Sequence, residues 1–173
     1  AAVQAHLVGP IEQIPPMVSA VKVDGRRLHE LAREGVEIER APRPVTVYRF
    51  DIEPTDDALV YRATVHCSKG TYIRTLADDL GRLCGGGAHL RGLRRVGVGS
   101  FTAEEAVGPD SVELLTLPQA VRDYPQSTVD AETAALIANG RVLERSVLGV
   151  EGEGPWAILG PDGALLAMYE ARG

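Results

Sequence analysis

The sequence has few cysteines, few aromatic residues and no long apolar run. Its two cysteines, Cys67 and Cys84, show neither the density of a secreted disulfide scaffold nor the spacing of a zinc site. This indicates reduced thiols in a cytoplasmic protein and predicts no metal site. No apolar stretch approaches the roughly 20 residues that cross a bilayer, and no signal-peptide pattern is present. We therefore expect no membrane partner.

What is present fits an ordinary globular protein. The 173 residues are 45% hydrophobic and 24% charged, which suits one full domain, or one domain and a small appendage. The sequence begins AAVQAHL, an already helical pattern with no methionine and no helix cap before it. We interpret this start as that of a truncated or processed protein.

Charge is distributed unevenly along the chain. The net charge is −6, which taken alone argues against a nucleic-acid partner. Residues 62–95, however, carry seven Lys/Arg against only Asp78 and Asp79, a net of +5. A basic segment in an acidic chain is the pattern expected of a local polyanion site, whereas a solvated helix face would usually mix the two signs.

Hydrophobic periodicity predicts an α+β fold. The elements expected in the first half are a helix end over residues 1–8, a strand from Val18 to Val23, an Asp24-Gly25 turn, a helix from Arg26 to Arg33, strands from Val45 to Ile52 and from Leu59 to Cys67, and a helix from Thr71 to about Leu83. The two long strands should pair antiparallel. The last helix should lie on them through Ile73, Leu76, Ala77, Leu80 and Leu83.

The second half has a different texture. The elements expected there are extended chain over residues 88–101, short helical pieces and linker over residues 102–129, a helix capped by Asp130 and stopped by Gly140, and a hairpin of residues 156–159 and 164–169. We place a domain boundary near residue 126. Residues 1–126 would then form the main domain and residues 127–173 a small helix-plus-β appendage.

Arg74 occupies an electrostatically poor position. It falls in the first turn of the predicted helix 71–83, where the helix dipole disfavours a cation. A stability role would be an i,i+4 pair with Asp78, but with the basic residue first that pair contributes only a few tenths of a kcal/mol. We favour a functional role, because a guanidinium holds a carboxylate or phosphate through two parallel hydrogen bonds.

Other residues near Arg74 could bind a polyanion. Lys69 and Gly70 precede the helix, where free backbone amides can bind anions, although such turns are common. Arg91, Arg94 and Arg95 lie close together in predicted extended chain, and we favour contact with RNA or DNA. Tyr72 could stack on a base or simply pack at the core's rim, and the residue type does not decide between the two.

Other reactive residues are better explained as structural. His66 and Cys67 are adjacent in a strand, so their side chains should point to opposite faces, and no third partner is apparent. Asp78 and Asp79 are neighbours on a helix, and we expect them to be solvated or paired with arginine. A small-molecule enzyme using His66 and Cys67 is the remote alternative.

Four segments in order, SAVKVDGRRLHELAREG, PRPVTVYRFDI, CSKGTYIRTLADDLG and GAHLRGLRR, resemble successive motifs of the bacterial tRNA pseudouridine synthase B (TruB) family. The resemblance covers about residues 10–110. It implies a mixed or antiparallel sheet flanked by helices, with residues 127–173 as a small PUA-like appendage that contacts RNA. It also implies a cofactor-free isomerase that flips out uridine-55 in the T-loop of tRNA, breaks its glycosidic bond, rotates the base and rejoins it through carbon.

The same resemblance implies roles for particular residues. Arg74 would pair with the family's catalytic aspartate, Tyr72 would line the pocket and Leu93 would pack against the flipped base. Residues 17–44 would be an RNA-gripping insertion. The basic residues expected near the T-arm of tRNA are Lys22, Arg26, Arg27, Arg33, Lys69, Arg91, Arg94 and Arg95.

One family feature is missing. The catalytic aspartate belongs to an N-terminal motif of the type GHxGTLDP, which does not occur in this sequence, and neither Asp78 nor Asp79 replaces it. We therefore expect the C-terminal portion of a monomeric enzyme, inactive alone and dependent on the missing N-terminal half. The alternative is a non-catalytic module that binds or folds tRNA.

Overall fold

The computed structural model describes residues 4–23 and 25–171. The chain divides into two compact units, one ending at Leu93 and one beginning at Arg94. This division lies N-terminal to the domain boundary predicted near residue 126, which stays a prediction. Each unit is described by itself.

The first unit is built on a three-stranded antiparallel sheet. Its elements are a 3₁₀ turn (Gln4–Leu7), β1 (Gly9–Gln13), β2 (Lys22–Val23), β3 (Arg26–Arg27), α1 (Leu28–Arg33), β4 (Arg43–Pro54), β5 (Tyr61–Cys67) and α2 (Ile73–Leu83). The strand order is β1-β4-β5, and Val47 of β4 lies between Gly9 and Cys67. The predicted antiparallel pair of long strands is confirmed, with β4 longer than expected at both ends.

The core of this unit forms where α2 packs on the sheet. Leu7, Val47, Phe50 and Leu76 are its buried residues, and Ile73 and Leu80 of α2 pack against them. The predicted helix is therefore confirmed. Leu83, however, was expected in the core and is 48% exposed. The contacts of α2 with this core end at Leu80, so the last turn of the helix lies beyond it.

The segment before α1 differs from its prediction. The strand expected from Val18 to Val23 is only Lys22–Val23, because the carbonyls of Ser19 and Val21 accept hydrogen bonds from the backbone at the start of α1. The helix expected from Arg26 begins at Leu28, since Arg26 and Arg27 pair with β2 instead. Gly25 has the positive φ of +80° that this turn requires, and Asp24 lies outside the described residues.

Two predictions for the N-terminal residues were also wrong. The helix end predicted over residues 1–8 is a single 3₁₀ turn over residues 4–7, and residues 1–3 lie outside the described part. Gly9–Gln13 is a true strand paired with β4, which the sequence did not predict. A short strand with a proline at its second position carries little strand signal, so its pairing depends on the tertiary structure.

The second unit has its own sheet and core. Its elements are β6 (Gly97–Val98), β7 (Phe101–Thr102), α3 (Leu117–Ala120), β8 (Gln126–Thr128), α4 (Ala131–Ala138), α5 (Arg145–Leu148), β9 (Trp156–Leu159) and β10 (Leu165–Tyr169). β9 pairs parallel with β8 and antiparallel with β10, which confirms the predicted hairpin. The buried residues of its core are Val129, Ile137, Leu148, Trp156 and Ile158.

The helix predicted after Asp130 is also confirmed. The Asp130 carboxylate accepts a hydrogen bond from the Thr133 N–H at 2.8 Å, and Gly140 follows the helix with a φ of +71°. Between residues 104 and 115, by contrast, the expected helical pieces do not form. Leu114 there is 92% exposed, so this segment buries too little apolar surface to support a helix. The extended chain expected over residues 88–101 contains only β6 and the start of β7.

Two negative findings apply to residues 4–23 and 25–171. None of their helices is long and apolar enough to cross a membrane. No group of three or more His, Cys, Asp or Glu side chains among them could hold a metal ion.

Acid should destabilise the second unit. Hydrogen bonds lower the pKa of three of its carboxyls below the ordinary values of 4.5 for Glu and 3.8 for Asp. For Glu105 the largest effect comes from the Thr102 N–H and the next from Arg122. For Asp123 the donors are the Ser100 hydroxyl and N–H, and for Asp130 the main donor is the Thr133 N–H. A carboxyl with a lowered folded-state pKa contributes stability above its unfolded pKa and loses it as pH falls through the folded pKa. We therefore expect constant stability near neutral pH and a decline below about pH 4.5.

Urea unfolding at a series of pH values tests this. Trp156 is the only tryptophan of the chain and is 3% exposed, so its fluorescence reports on the folding of this unit. Asp130→Asn is the control, because the amide oxygen can still accept from Thr133 but no longer titrates. Its unfolding midpoint should depend less steeply on acid pH than that of the wild type. Identical pH dependence would contradict the assignment for Asp130.

Candidate functional site

The turn before α2 is fixed to the central strand. The Ser68 N–H donates to the Thr46 carbonyl at 2.8 Å, and the Thr46 N–H donates to the Ser68 hydroxyl at 2.9 Å. The Thr71 hydroxyl donates to the Ser68 carbonyl at 2.9 Å, and Gly70 has a φ of +84°. Lys69 is exposed within this turn. The start of α2 is therefore presented by a well-bonded turn.

Arg74 is exposed in the first turn of α2. Its Nη2 donates a hydrogen bond of 2.7 Å to the Val18 carbonyl, at the base of the segment 17–44. The alternative pairing with Asp78 is not formed, because Asp78 pairs with Arg82 at 3.0 Å. Among the described residues, no carboxylate lies within 4.0 Å of Arg74. The guanidinium therefore keeps donors for an anion from elsewhere.

The acids of α2 do not form a catalytic pair. Asp78 is tied to Arg82, as one of the two structural readings predicted. Partial burial, followed by the neighbouring charge of Asp78, raises the pKa of Asp79 above its ordinary value, and Arg82 opposes this. With Asp78 tied to Arg82, the geometry gives no support to a pair of acids acting together on α2.

Tyr72 stands immediately before α2 and is half-buried. Its backbone is held by Gln13, whose Oε1 accepts from the Tyr72 N–H at 2.9 Å and whose Nε2 donates to the Tyr72 carbonyl at 3.3 Å. Sequence reasoning missed Gln13. The sequence carried no usable signal for it, because the strand that turns Gln13 inward, β1, was itself not predicted.

The chain after α2 is shaped by Gly81. A Cβ at this position would stand 2.7 Å from the Gly87 carbonyl carbon and closer still to the Ala88 backbone nitrogen. The Gly81 carbonyl also accepts from the N–H groups of Cys84 and Gly86. Segment 84–88 therefore folds back directly onto the helix backbone, and this fixes the path toward Leu93, which is 67% exposed.

The basic residues proposed to contact RNA are all exposed. In the segment 17–44 these are Lys22, Arg26, Arg27 and Arg33, and after α2 they are Arg91, Arg94 and Arg95. Arg26 is paired with Glu34. Arg91 lies in the first unit, whereas Arg94 and Arg95 begin the second. Arg91 is therefore described separately from Arg94 and Arg95. Tyr72 and Arg74 are the predicted site residues that it brings together within one turn.

His66 and Cys67 do not form a reactive pair. Cys67 packs against the core cluster under α2, whereas His66 is exposed on the other face and lies beside Tyr48, with ring centroids 4.9 Å apart. This arrangement supports the structural interpretation and gives no support to a small-molecule enzyme built on them.

Comparison with known families identifies the chain. A model described as "TruB family pseudouridylate synthase (N terminal domain)" matches residues 1–73, and one described as "tRNA pseudouridylate synthase B C-terminal domain" matches residues 74–151. The chain belongs to the TruB family. The resemblance read from the four sequence motifs is thereby confirmed.

Curated relatives agree with this assignment. The chain is 40% identical to tRNA pseudouridine synthase B of Methylobacillus flagellatus over 98% of its own length, and 45% identical to that of Rhodococcus jostii over 99%. It covers 58% and 59% of those two relatives. The TruB family chain described here thus spans about three-fifths of the length of the relatives it matches.

A solved structure supports the fold. A chain in a crystal structure titled "Crystal Structure of a Cbf5-Nop10-Gar1 Complex" matches 98% of this chain with a TM-score of 0.73, and this chain covers 54% of that one. At 24% identity the likeness concerns fold alone. It confirms the predicted α+β class, with antiparallel and mixed sheets, flanking helices and a small PUA-like helix-plus-β region at the C-terminal end.

Proposed function

We propose that this chain is the C-terminal part of a tRNA pseudouridine synthase, an isomerase that converts uridine-55 in the T-loop of tRNA to pseudouridine. The observation that carries the proposal is the bonding of the exposed Arg74 side chain. In a TruB family chain, its guanidinium is exposed two residues after Tyr72 and bonded only to a backbone carbonyl among the described residues. That is the state expected of a group that awaits a carboxylate.

The missing carboxylate would be the catalytic aspartate of the N-terminal half. One N–H of Nη2 donates to the Val18 carbonyl, and the second N–H of Nη2 can still join a neighbouring N–H of Nε or Nη1 in a two-point contact with that carboxylate. A fixed cation beside an aspartate keeps it ionised and therefore nucleophilic. We assign Tyr72 to the wall of the same pocket and Leu93 to the apolar surface against the flipped base. The reaction needs no cofactor.

Substrate binding would rest on exposed basic residues. Extruding a base from the T-loop costs a few kcal/mol of stacking and pairing, which contacts to phosphates can offset. The residues we assign to this are Lys22, Arg26, Arg27, Arg33, Lys69, Arg91, Arg94 and Arg95, all of them exposed. Segment 17–44 would act as an RNA-gripping insertion of the domain 1–126, and residues 127–173 as a smaller RNA-contacting domain. We place the monomeric enzyme in the cytoplasm.

A two-arm pseudouridine assay tests the proposal. A transcript of the tRNA T-arm is incubated with this chain alone or with the intact gene product, and pseudouridine is measured by mass spectrometry after nuclease digestion. We expect conversion by the intact protein and none by the chain alone, because the nucleophile lies outside it. An intact product without a GHxGTLDP-type motif, or without activity on the T-arm, would refute the enzymatic assignment.

Measuring the tRNA affinity of the same two proteins separates the second candidate. A tRNA-binding or RNA-folding module would bind tRNA through the exposed basic residues without the rest of the protein, and its affinity would fall steeply with salt. Two results together would favour that module over the enzyme. This chain alone would bind tRNA as tightly as the intact protein does, and the intact protein would form no pseudouridine.

A further inference from the structure

Gln13 is a polar side chain in a position that normally takes an apolar one. It ends β1 on the inward-facing side and is 2% exposed, which places it among the largest fully buried side chains of the protein. A buried carboxamide is costly unless its donors and acceptor find partners. A residue of this type therefore needs a reason other than packing.

Its partner is the backbone of Tyr72, 59 residues away along the chain. The Tyr72 N–H donates to Oε1 at 2.9 Å, and Nε2 donates to the Tyr72 carbonyl at 3.3 Å. A carboxamide offers an acceptor and a donor side by side in this way without depending on its protonation state. The backbone N–H can act only as a donor, so the orientation of the amide follows from the contact itself.

Tyr72 is where this contact has most effect. It is the N-cap of α2, with extended backbone angles of −94° and 106°, and its own side chain caps nothing. Its carbonyl also accepts the first hydrogen bond of the helix, from the Leu76 N–H at 3.1 Å. Gln13 therefore fixes the residue from which α2 starts, and Arg74 follows two positions later.

We propose that Gln13 is a positioning residue for the isomerase: its carboxamide holds the Tyr72 backbone and so aims Tyr72 and Arg74 at the reacting uridine and the missing carboxylate. This inference rests on the proposed function. Gln13 touches neither substrate nor the reacting atoms. Its contribution is to place Tyr72 and Arg74 accurately, since a misplacement of about 1 Å can lower the rate on the order of 100-fold.

Gln13→Ala and Gln13→Glu in the intact protein test the inference. Gln13→Ala should lower kcat by about 10- to 100-fold while KM for tRNA changes little, since the basic residues that bind RNA are untouched. In Gln13→Glu, the protonated acid can still accept from the Tyr72 N–H and donate to its carbonyl, whereas the carboxylate can only accept. The ratio of variant to wild-type kcat should therefore fall as pH rises.

Val47→Ala is the matched control for mere loss of stability. Val47 is fully buried in the same sheet, and it is not among the described residues that hydrogen-bond to Tyr72. At a temperature where both variants are equally folded, it should retain near-wild-type kcat. If Val47→Ala loses as much kcat as Gln13→Ala, or if the pH ratio of Gln13→Glu is flat, Gln13 is a structural residue and the inference is wrong.

Amide exchange separates this inference from the proposed function. The Tyr72 N–H should exchange faster in Gln13→Ala than in the wild type, whatever the protein catalyses, and unchanged exchange would overturn the inference. If the wild-type intact protein makes no pseudouridine although exchange at Tyr72 responds to Gln13, then the proposed function has failed and the positioning contact stands.

Discussion

The Arg74→Lys variant of the intact protein is expected to lose most of its turnover, with kcat lowered by about 100- to 1,000-fold, the loss typical of removing one preorganised donor from an active site. A guanidinium can bond the Val18 carbonyl and still present two parallel donors to a carboxylate, whereas an ammonium is a single point of charge. Pseudouridine formation on a T-arm transcript, under single-turnover conditions, measures the effect on the chemical step.

The helix supplies its own control. Arg82 lies on α2, is 74% exposed and pairs with Asp78, so Arg82→Lys makes the same chemical change at a surface pair. Such a pair contributes less than about 1 kcal/mol, and we expect near-normal kcat and KM. Near-normal activity of Arg74→Lys, or equal losses in the two variants, would refute the role assigned to Arg74.

Loss of folding should not account for the Arg74 result. The side chain is exposed and, within the described part of the chain, makes one hydrogen bond, to a backbone carbonyl, so its replacement should cost about 1 kcal/mol or less. Thermal unfolding of Arg74→Lys and Arg82→Lys should therefore give similar midpoints. The contact with Val18 also links the start of α2 to the base of segment 17–44, which places the proposed catalytic arginine next to the proposed RNA-gripping insertion.

Local patterns predicted the parts of the fold that depend on neighbouring residues. Alternation along Val45–Ile52 identified β4, the segment Leu59–Cys67 identified β5, and spacing of three and four along Ile73–Leu83 identified α2. Arg74 could be singled out because a cation in the first turn of a helix contradicts the dipole. These signals sit within single elements and need no knowledge of the tertiary structure.

The errors arose where a distant partner decides the outcome. The buried side chain of Gln13 is satisfied by the backbone of Tyr72, 59 residues later. Residues 18–21 are bonded to the start of α1 and to Arg74 instead of to a neighbouring strand. Leu83 matches the apolar spacing of α2 but lies beyond the last residue of that helix that packs on the sheet. No local pattern contains this information, because the competing contacts are made only in the folded chain.

Gly81→Ala should destabilise the first unit, although alanine is ordinarily the better helix former by about 1 kcal/mol. Its Cβ would meet the backbone of Gly87 and Ala88, which cannot move aside as the end of a flexible side chain can. Overpacking of this kind costs about 1–3 kcal/mol, and against backbone we expect the upper part of that range, so the steric term exceeds the gain in helix propensity.

Gly86→Ala is the matched control for the Gly81 prediction. It makes the same substitution five residues later, where a Cβ would meet nothing within 4 Å. Urea unfolding should show a lower free energy of unfolding for Gly81→Ala and little change for Gly86→Ala. The Gly86 N–H, which donates to the Gly81 carbonyl at 3.0 Å, should also exchange faster in Gly81→Ala, because segment 84–88 must lift off the helix. Stabilisation by Gly81→Ala would show that the segment yields at no cost, and the path to Leu93 would then not depend on this glycine.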